Sequence, residues 1–309
     1  MKKVRVALFL ITRDNDYQRE QASVAEATAQ RLGIGLQVLY AGGEVIVQMT
    51  QILAAIRAHP ADRPDVVMVE PVGTGMPHVA NAAAESGIGW IVLNRESDDL
   101  ALLRRISSVP MGSVASDAVE VGRIQGRQFS ALLPAGGTVL YVEGPSGDVA
   151  SQRRAGLEQT CPANVVVKSV RGRWTEESAF QAVRSRLRLA GSRAPSVGII
   201  GCQNDAMAMG ARRAVEALTD ARQRDQWLKL PFTGVDGLPS SGQAWVENRQ
   251  LAATIVTPAL SGIALELVAS ALATGKQVPE LTLTKPVSYP SLEDLRARAG
   301  RPALRLVRT

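Results

Sequence analysis

The sequence is short of the residues on which most metal, redox and disulfide chemistry depends. It holds two cysteines, Cys161 and Cys202, in 309 residues. That is too few to staple a chain of this length, so a disulfide scaffold is excluded. Its two histidines, His59 and His78, stand far from each other and from both cysteines. No CxxC, HExxH or EF-hand spacing occurs, so no metal site is expected and both histidines are expected at the surface. Gly275-Lys276 lacks the upstream glycine and following hydroxyl of a phosphate loop, and Gly73-Thr74-Gly75 has His78 where a dinucleotide fingerprint needs its third glycine. There is no G-x-S-x-G elbow. Cys202 has no neighbouring base and reads as a small buried residue. Nothing nominates a catalyst, so neither an enzyme nor a cofactor is expected. No uncharged apolar run approaches the roughly 20 residues of a bilayer-spanning helix, and membrane insertion is not expected. Aromatics are 4% of the chain, which leaves Ala, Val, Leu and Ile to build the core.

What is present is a folding composition, 46% hydrophobic and 21% charged, with no low-complexity tract. The length leaves room for two domains, because single cores rarely grow past about 250–300 residues. The formal charge is +6. Arginines such as Arg57, Arg104, Arg123, Arg184, Arg222 and Arg296 are scattered among acids, and no compact basic run or aromatic-laced stripe occurs. A basic surface explains the charge, and direct nucleic-acid binding is not expected. Met1-Lys2-Lys3 followed by Val4–Ile11 imitates a signal peptide. The apolar stretch is short, broken by Arg5, and followed by no small-residue cleavage site. A buried first strand is expected instead. The chain as written then carries no export signal, which implies the cytoplasm, or the periplasm if it is a processed form.

Short β-branched runs alternate with longer Ala-rich segments of helical period. Strands are expected at Val4–Ile11, Leu36–Tyr40, Val66–Val69, Trp90–Leu93, Thr138–Val142, Val165–Val170, Val197–Gly201, Phe232–Val235 and Ala252–Val256. Helices are expected at Tyr17–Leu32, ending on Gly33, through Val79 and Ala83, and near 118–133, 151–160, 178–189, 205–219 and 258–274. Another should carry Ile46, Met49, Leu53 and Ile56 on one face. Strands this apolar are buried on both sides, as in parallel sheets covered by helices. Regular alternation gives an α/β architecture. About ten strands exceed one comfortable sheet, and Ser113–Asp117 reads as the connector between two Rossmann-like lobes.

In open parallel sheets ligands bind beyond the carboxyl ends of the strands. The segments there are polar: Thr12-Arg13-Asp14-Asn15-Asp16-Tyr17, Asn94-Arg95-Glu96, Glu143-Gly144-Pro145-Ser146, Gln203-Asn204-Asp205 and Asp236-Gly237. Carboxylates accept hydrogen bonds, guanidinium donates them and amides do both, which suits a polyhydroxylated ligand. Tyr17 and Trp174 offer faces for the C–H side of a sugar ring. Asp14, Asp16 and Asp205 are equally suited to capping helices, and Arg95 and Arg153 to structural salt bridges.

The run Gln203-Asn204-Asp205-Ala206-Met207-Ala208-Met209-Gly210-Ala211 resembles the QNDxMAxGA segment of type I periplasmic sugar-binding proteins, the ribose and galactose type, whose fold recurs in the sensor core of Lac-repressor-like regulators. Gly234-Val235-Asp236-Gly237 is similar to that family's GxDG, Leu251–Ile255 to its LxATI strand, Ser116-Asp117 with Gly122 to its first crossover, and Arg153 with Gly156 to its RxxG. The resemblance runs in order from about Val4 to about Val287. It implies two three-layer αβα lobes with parallel sheets, 1–116 plus 258–286 and 117–257 plus 287–309, with a ligand cleft between them that closes about a hinge. Carried over by position, the ligand-binding residues would be Asn15, Tyr17, Gln18, Asn94, Arg95, Arg153, Trp174, Asn204, Asp236 and Thr257.

Four of these depart from the ribose-type pattern: Gln18 stands for a usual aromatic, Tyr17 for Phe, Asn94 for Asp and Thr257 for Gln. One carboxylate fewer beside Arg95 and Arg153 suggests a ligand other than ribose, such as a sugar acid or another anionic polyol. The resemblance implies the solute-binding component of an ABC transporter, with a permease as partner. The alternative is a cytoplasmic sugar sensor acting through a signalling partner, since no residues precede the first strand to form a DNA-binding headpiece. A monomer or weak dimer is expected. The tail Ser291–Thr309 is basic through Arg296, Arg298, Arg301, Arg305 and Arg308. It is expected to pack on the C-terminal lobe through Leu292, Leu295, Leu304 and Leu306, or else to contact a partner.

Overall fold

The computed structural model describes residues 3–73, 76–97, 99–190 and 197–299. Strands and helices alternate from the start: β1 (Arg5–Leu10), α1 (Asp16–Leu32), β2 (Gly35–Tyr40), α2 (Val45–Arg57), β3 (Val66–Val69), α3 (Pro77–Glu85), β4 (Gly89–Leu93), α4 (Leu100–Ile106) and β5 (Met111–Ser116). The pattern continues with α5 (Ala118–Leu132), β6 (Gly137–Glu143), α6 (Asp148–Thr160), β7 (Val165–Arg171), α7 (Glu176–Ala190), β8 (Ile199–Cys202), α8 (Asp205–Glu216), α9 (Ala221–Leu228) and β9 (Phe232–Thr233). A π-helical turn (Pro239–Gln243), α10 (Ala244–Glu247), β10 (Thr254–Val256), α11 (Leu260–Thr274), β11 (Leu281–Thr284), β12 (Val287–Tyr289) and α12 (Leu292–Ala299) follow. Contacts group the chain into two compact units. Unit 1 holds the residues up to Asp117, Gly147–Val149 and Pro258–Lys285; unit 2 holds Ala118–Ser146, Ala150–Thr257 and the residues from Pro286 onward.

Unit 1 is built on a six-stranded sheet in the order β11-β5-β4-β3-β1-β2, every neighbouring pair parallel. Side chains of a strand alternate between the two faces, and the core divides accordingly. Val6, Leu8, Leu10, Val66, Met68, Ile91 and Leu93 pack under α1 and α11 through Ala25, Ala29, Ala264, Leu265 and Val268. Ala7, Phe9, Val67, Val69, Trp90 and Val92 pack on the other face against Ile52, Val79, Ala83 and Leu103 of α2, α3 and α4. Each fully buried large side chain contributes roughly 1.5–3 kcal/mol of transfer free energy. The strand order reverses at β1, which has β2 on one side and β3 on the other, so a topological switch point lies between β1 and β3.

Two sequence expectations are corrected in this unit. Ser113–Asp117 is no mere connector. Ser113–Ser116 forms the last four residues of β5, a strand buried along its whole length between β4 and β11. Its small residues hid it from hydrophobic periodicity, and they are what allow burial: a Cβ on Gly112 would lie 2.4 Å from the Pro279 carbonyl. In α2 the buried face runs through Gln48, Ile52 and Ile56, with Met49 and Leu53 beside it, while Ile46 is 71% exposed. The helix rotates to bury Gln48, whose amide donates to the Glu70 carbonyl (2.9 Å) and accepts from the Val72 amide (2.8 Å).

Unit 2 carries a parallel four-stranded sheet, β7-β6-β8-β9, extended by parallel bridges from Thr233 to Ala253 and from Asp236 to Val256. Its switch point lies between β6 and β8. Leu140, Val142, Ile200 and Cys202 face α7 and α8, and Val139, Tyr141 and Ile199 face Phe129 and Leu157 of α5 and α6. One pairing departs from the parallel expectation: β10 and β12 are antiparallel. Gln128 fastens that pair by donating to the Thr254 carbonyl (2.9 Å) and the Ser288 hydroxyl (3.0 Å). Of the tail, Leu295 is buried with Ala131 and Ala253, and Leu292 packs beside them. Arg301, Leu304, Arg305, Leu306 and Arg308 lie outside the described residues. His59 and His78 are both exposed.

Candidate functional site

In unit 1 the polar groups gather at the carboxyl ends of β1, β3 and β4. The segment after β1 is ordered by Thr12, whose hydroxyl donates to the Asp14 carboxylate (3.0 Å) and accepts from the Asp14 amide (3.1 Å). Asn15 is the N-cap of α1; its side chain accepts from the Gln18 amide at 2.8 Å. The cap is therefore neither Asp14 nor Asp16. A cap needs extended backbone and a side-chain oxygen aimed at the first helical turn, a geometry Asn15 has and Asp16, already helical, has lost. Gln18 is buried, and its amide oxygen accepts from the Ile11 amide at 2.9 Å, tying helix to strand end. The Tyr17 hydroxyl donates to the Pro258 carbonyl and accepts from Gln21, both at 3.3 Å. Among the sequence candidates, Gln18 and Tyr17 thus commit polar atoms to the framework of the site.

Asn94 follows β4 with φ of 63°, in the left-handed region that asparagine tolerates better than most residues. Its Nδ2 donates to Glu70 Oε1 at 3.1 Å. Glu70, 4% exposed, directly follows β3 at the switch point, and its amide donates to the Phe9 carbonyl. Sequence reasoning missed it: one carboxylate between Val69 and Pro71 reads as a turn residue. Arg95 has its guanidinium 3.9 Å from Asp148. Burial lowers its pKa, and the charges of Asp148 and Glu70 oppose that shift. A carboxylate therefore acts on Arg95 from the end of β3, a position the charge count at residue 94 leaves out.

In unit 2 the corresponding residues are Arg153 on α6, the helix after β6, and Trp174, Asn204, Asp236 and Thr257, which follow β7, β8, β9 and β10. Arg153 is buried; it donates from Nη1 to the Gln203 carbonyl, and its guanidinium carbon lies 5.5 Å from the centre of a Trp174 ring. Trp174 sits at φ 64°. Asn204 caps α8 by accepting from the Met207 amide (2.9 Å) and donates to the Trp174 carbonyl (3.0 Å). Asp205, proposed by sequence as that cap, is instead wholly buried. Its carboxylate accepts from the Gly237 amide (2.8 Å) and the Thr254 hydroxyl (2.7 Å), which fixes the segment bearing Asp236. Asp236 has φ of 113°; its amide bonds the Ile255 carbonyl, and its own carbonyl accepts from Thr257. Gln203 binds the Gly144 amide and the Ala150 carbonyl, joining the ends of β6 and β8.

Asn94, Trp174 and Asp236 are three of the four non-glycine residues with positive φ among the described residues, the fourth being Arg249. Such conformations cost of order 1–3 kcal/mol and collect at functional sites. Among the described residues, no group of three His, Cys, Asp or Glu side chains could hold a metal ion, and no helix is long and apolar enough to cross a membrane. Burial raises the Cys202 thiol pKa well above its ordinary value, the reverse of what a nucleophile needs.

Residues 6–277 match the family model described as periplasmic binding protein domain. The galactofuranose-binding protein YtfQ of Escherichia coli K12 is 25% identical over 285 residues, covering 89% of this chain and 84% of that protein. The D-allose-binding periplasmic protein of the same organism is 29% identical over 205 residues, covering 64% of this chain and 62% of that protein. The solved structure of an ABC transporter periplasmic solute binding protein from Actinobacillus succinogenes 130z with bound D-allose shares the fold with a TM-score of 0.78 at 23% identity, over 96% of this chain and all of that one. With the model matching most of its length and the strand-end polar groups in place, the chain belongs to the periplasmic binding protein domain family.

Proposed function

We propose that this protein binds a small polyhydroxylated ligand, a sugar or sugar derivative, without altering it chemically, and delivers it to the permease of an ABC transporter. The observation that carries this reading is the concentration of buried and half-buried hydrogen-bonding residues beyond the carboxyl ends of the strands in both sheets, Asn94 and Asp236 among them with positive φ. Asn94 and Arg95 in unit 1 and Arg153, Asn204 and Asp236 in unit 2 provide donors and acceptors in the mixture that hydroxyl groups require. Trp174 adds an aromatic face for the C–H side of a ring. The related proteins are named for galactofuranose and D-allose, both neutral polyols.

Thermal denaturation with D-galactose, D-allose, D-ribose, L-arabinose and myo-inositol tests the reading. A ligand at 100 times its Kd stabilises the fold by about 2.7 kcal/mol, enough to raise Tm by several degrees. At least one sugar should do so and be recovered unchanged, and Arg153→Ala and Asp236→Ala should each abolish the shift. No shift with any member, together with no sugar released from natively purified protein, overturns the proposal.

A further inference from the structure

We infer that Glu70 and Asn94 work as one unit, a carboxylate displaced from the end of β4 to the end of β3, which sets the site for neutral sugars against sugar acids. This rests on the sugar-binding reading above. The family resemblance puts an Asp at position 94, and here an Asn stands there. The structure places Glu70 Oε1 3.1 Å from Asn94 Nδ2. A carboxylate only accepts hydrogen bonds, so the amide nitrogen must face Glu70. The amide oxygen is then the atom Asn94 turns elsewhere, and Asn94 presents an acceptor as an Asp would. The negative charge has moved one strand across the sheet, to the switch point where ligands of parallel sheets bind.

The charge has a second effect. Arg95 is largely desolvated, and two carboxylates act on it, Asp148 and Glu70. Asp148 lies at 3.9 Å with a side chain 60% exposed, so water screens that pair. Glu70 is buried and acts through a medium of lower dielectric. With Glu70 ionised, Arg95 can donate to a hydroxyl without drawing in an anion. Replacing that charge leaves a guanidinium that favours a ligand carboxylate.

The experiment compares Glu70→Gln, Asn94→Asp and the double variant with the unmodified protein. Affinities are measured for D-galactose against D-galacturonate and for D-ribose against D-ribonate. The unmodified protein should prefer the neutral member. Glu70→Gln keeps the shape, loses the charge, and should shift the neutral-to-acid preference toward the acid by about tenfold or more. Asn94→Asp sets two carboxylates against each other and should make binding depend on pH between about 4 and 7. The double variant, with its carboxylate back at the end of β4, should return to within about threefold of the original preference. An unchanged preference in folded Glu70→Gln, or pH-independent binding by Asn94→Asp, overturns the role of Glu70 alone. Failure of the unmodified protein to bind any of the four compounds or the neutral panel overturns the sugar-binding reading and this inference with it.

Discussion

Trp174 rests directly on Gly144: a Cβ added to that glycine would lie 2.2 Å from Trp174 Cζ2. The ring is therefore seated by the backbone at the end of β6, with the Arg153 guanidinium over it and Asn204 bonded to its carbonyl. Three sequence candidates of unit 2 hold one another in position before any ligand arrives, which lowers the ordering cost of binding.

Gly144→Ala should displace Trp174 and weaken sugar affinity by about tenfold or more, roughly 1.4 kcal/mol. Titration calorimetry on the folded variant gives the answer. Unchanged affinity would mean that Trp174 takes no part in binding.

Asp205 ties the segment Gly234–Gly237, the π-helical turn and β10 together. Gly234 and Gly242 each leave only enough space for its carboxylate, since a Cβ on either would fall 2.0 Å from an oxygen of Asp205. Asp205→Ala should lower unfolding free energy by about 2–4 kcal/mol, because the buried Thr254 hydroxyl and Gly237 amide lose their acceptor. Urea denaturation measures it, and a loss under about 1 kcal/mol would contradict the role assigned to this carboxylate.

Helices α5 and α6 cross at paired glycines. A Cβ on Gly122 would lie 1.9 Å from the Arg153 carbonyl, and one on Gly156 would lie 1.9 Å from the Val119 carbonyl. Neither backbone can yield cheaply, so Gly122→Ala or Gly156→Ala should each destabilise unit 2 by roughly 1–3 kcal/mol. Because Gly122 meets the backbone of Arg153 itself, sugar affinity should fall as well. Chemical denaturation and calorimetry on the same preparations separate the two effects.

Stability should decline in alkali with two successive components. Burial pushes the Cys202 thiol and the Tyr141 phenol well above their ordinary values of 9.0 and 10.0. Both stay neutral in the fold while the unfolded chain releases its protons. Stability from these groups is complete below pH 9 and falls as pH rises past each ordinary value, by up to about 1.4 kcal/mol per pH unit for each group. Cys202→Ala should remove the first component of the slope, as followed by denaturation between neutral pH and pH 11.

Hydrophobic period alone revealed the β/α alternation, because strands such as Val66–Val69 and helices such as Tyr17–Leu32 carry their burial pattern locally. Cys202 and the polar strand ends were visible for the same reason. What stayed hidden depends on residues distant in sequence. β5 is built mostly of small residues, and only its neighbours β4 and β11 make it a strand. Asn15 and Asn204, not the adjacent aspartates, cap their helices, a choice made by backbone dihedrals at single positions. Ile46 lies outside because Gln48 is needed to close the backbone groups at the end of β3. The pairing of Glu70 with Asn94 depends most on the fold. They stand 24 positions apart, and only the parallel register of β3 and β4 brings one carboxylate to one amide. Local sequence sets which segments are strands and helices; strand order and register decide which polar groups meet at their ends, since hydrogen bonds and charge act over a few ångströms of space and not along the chain.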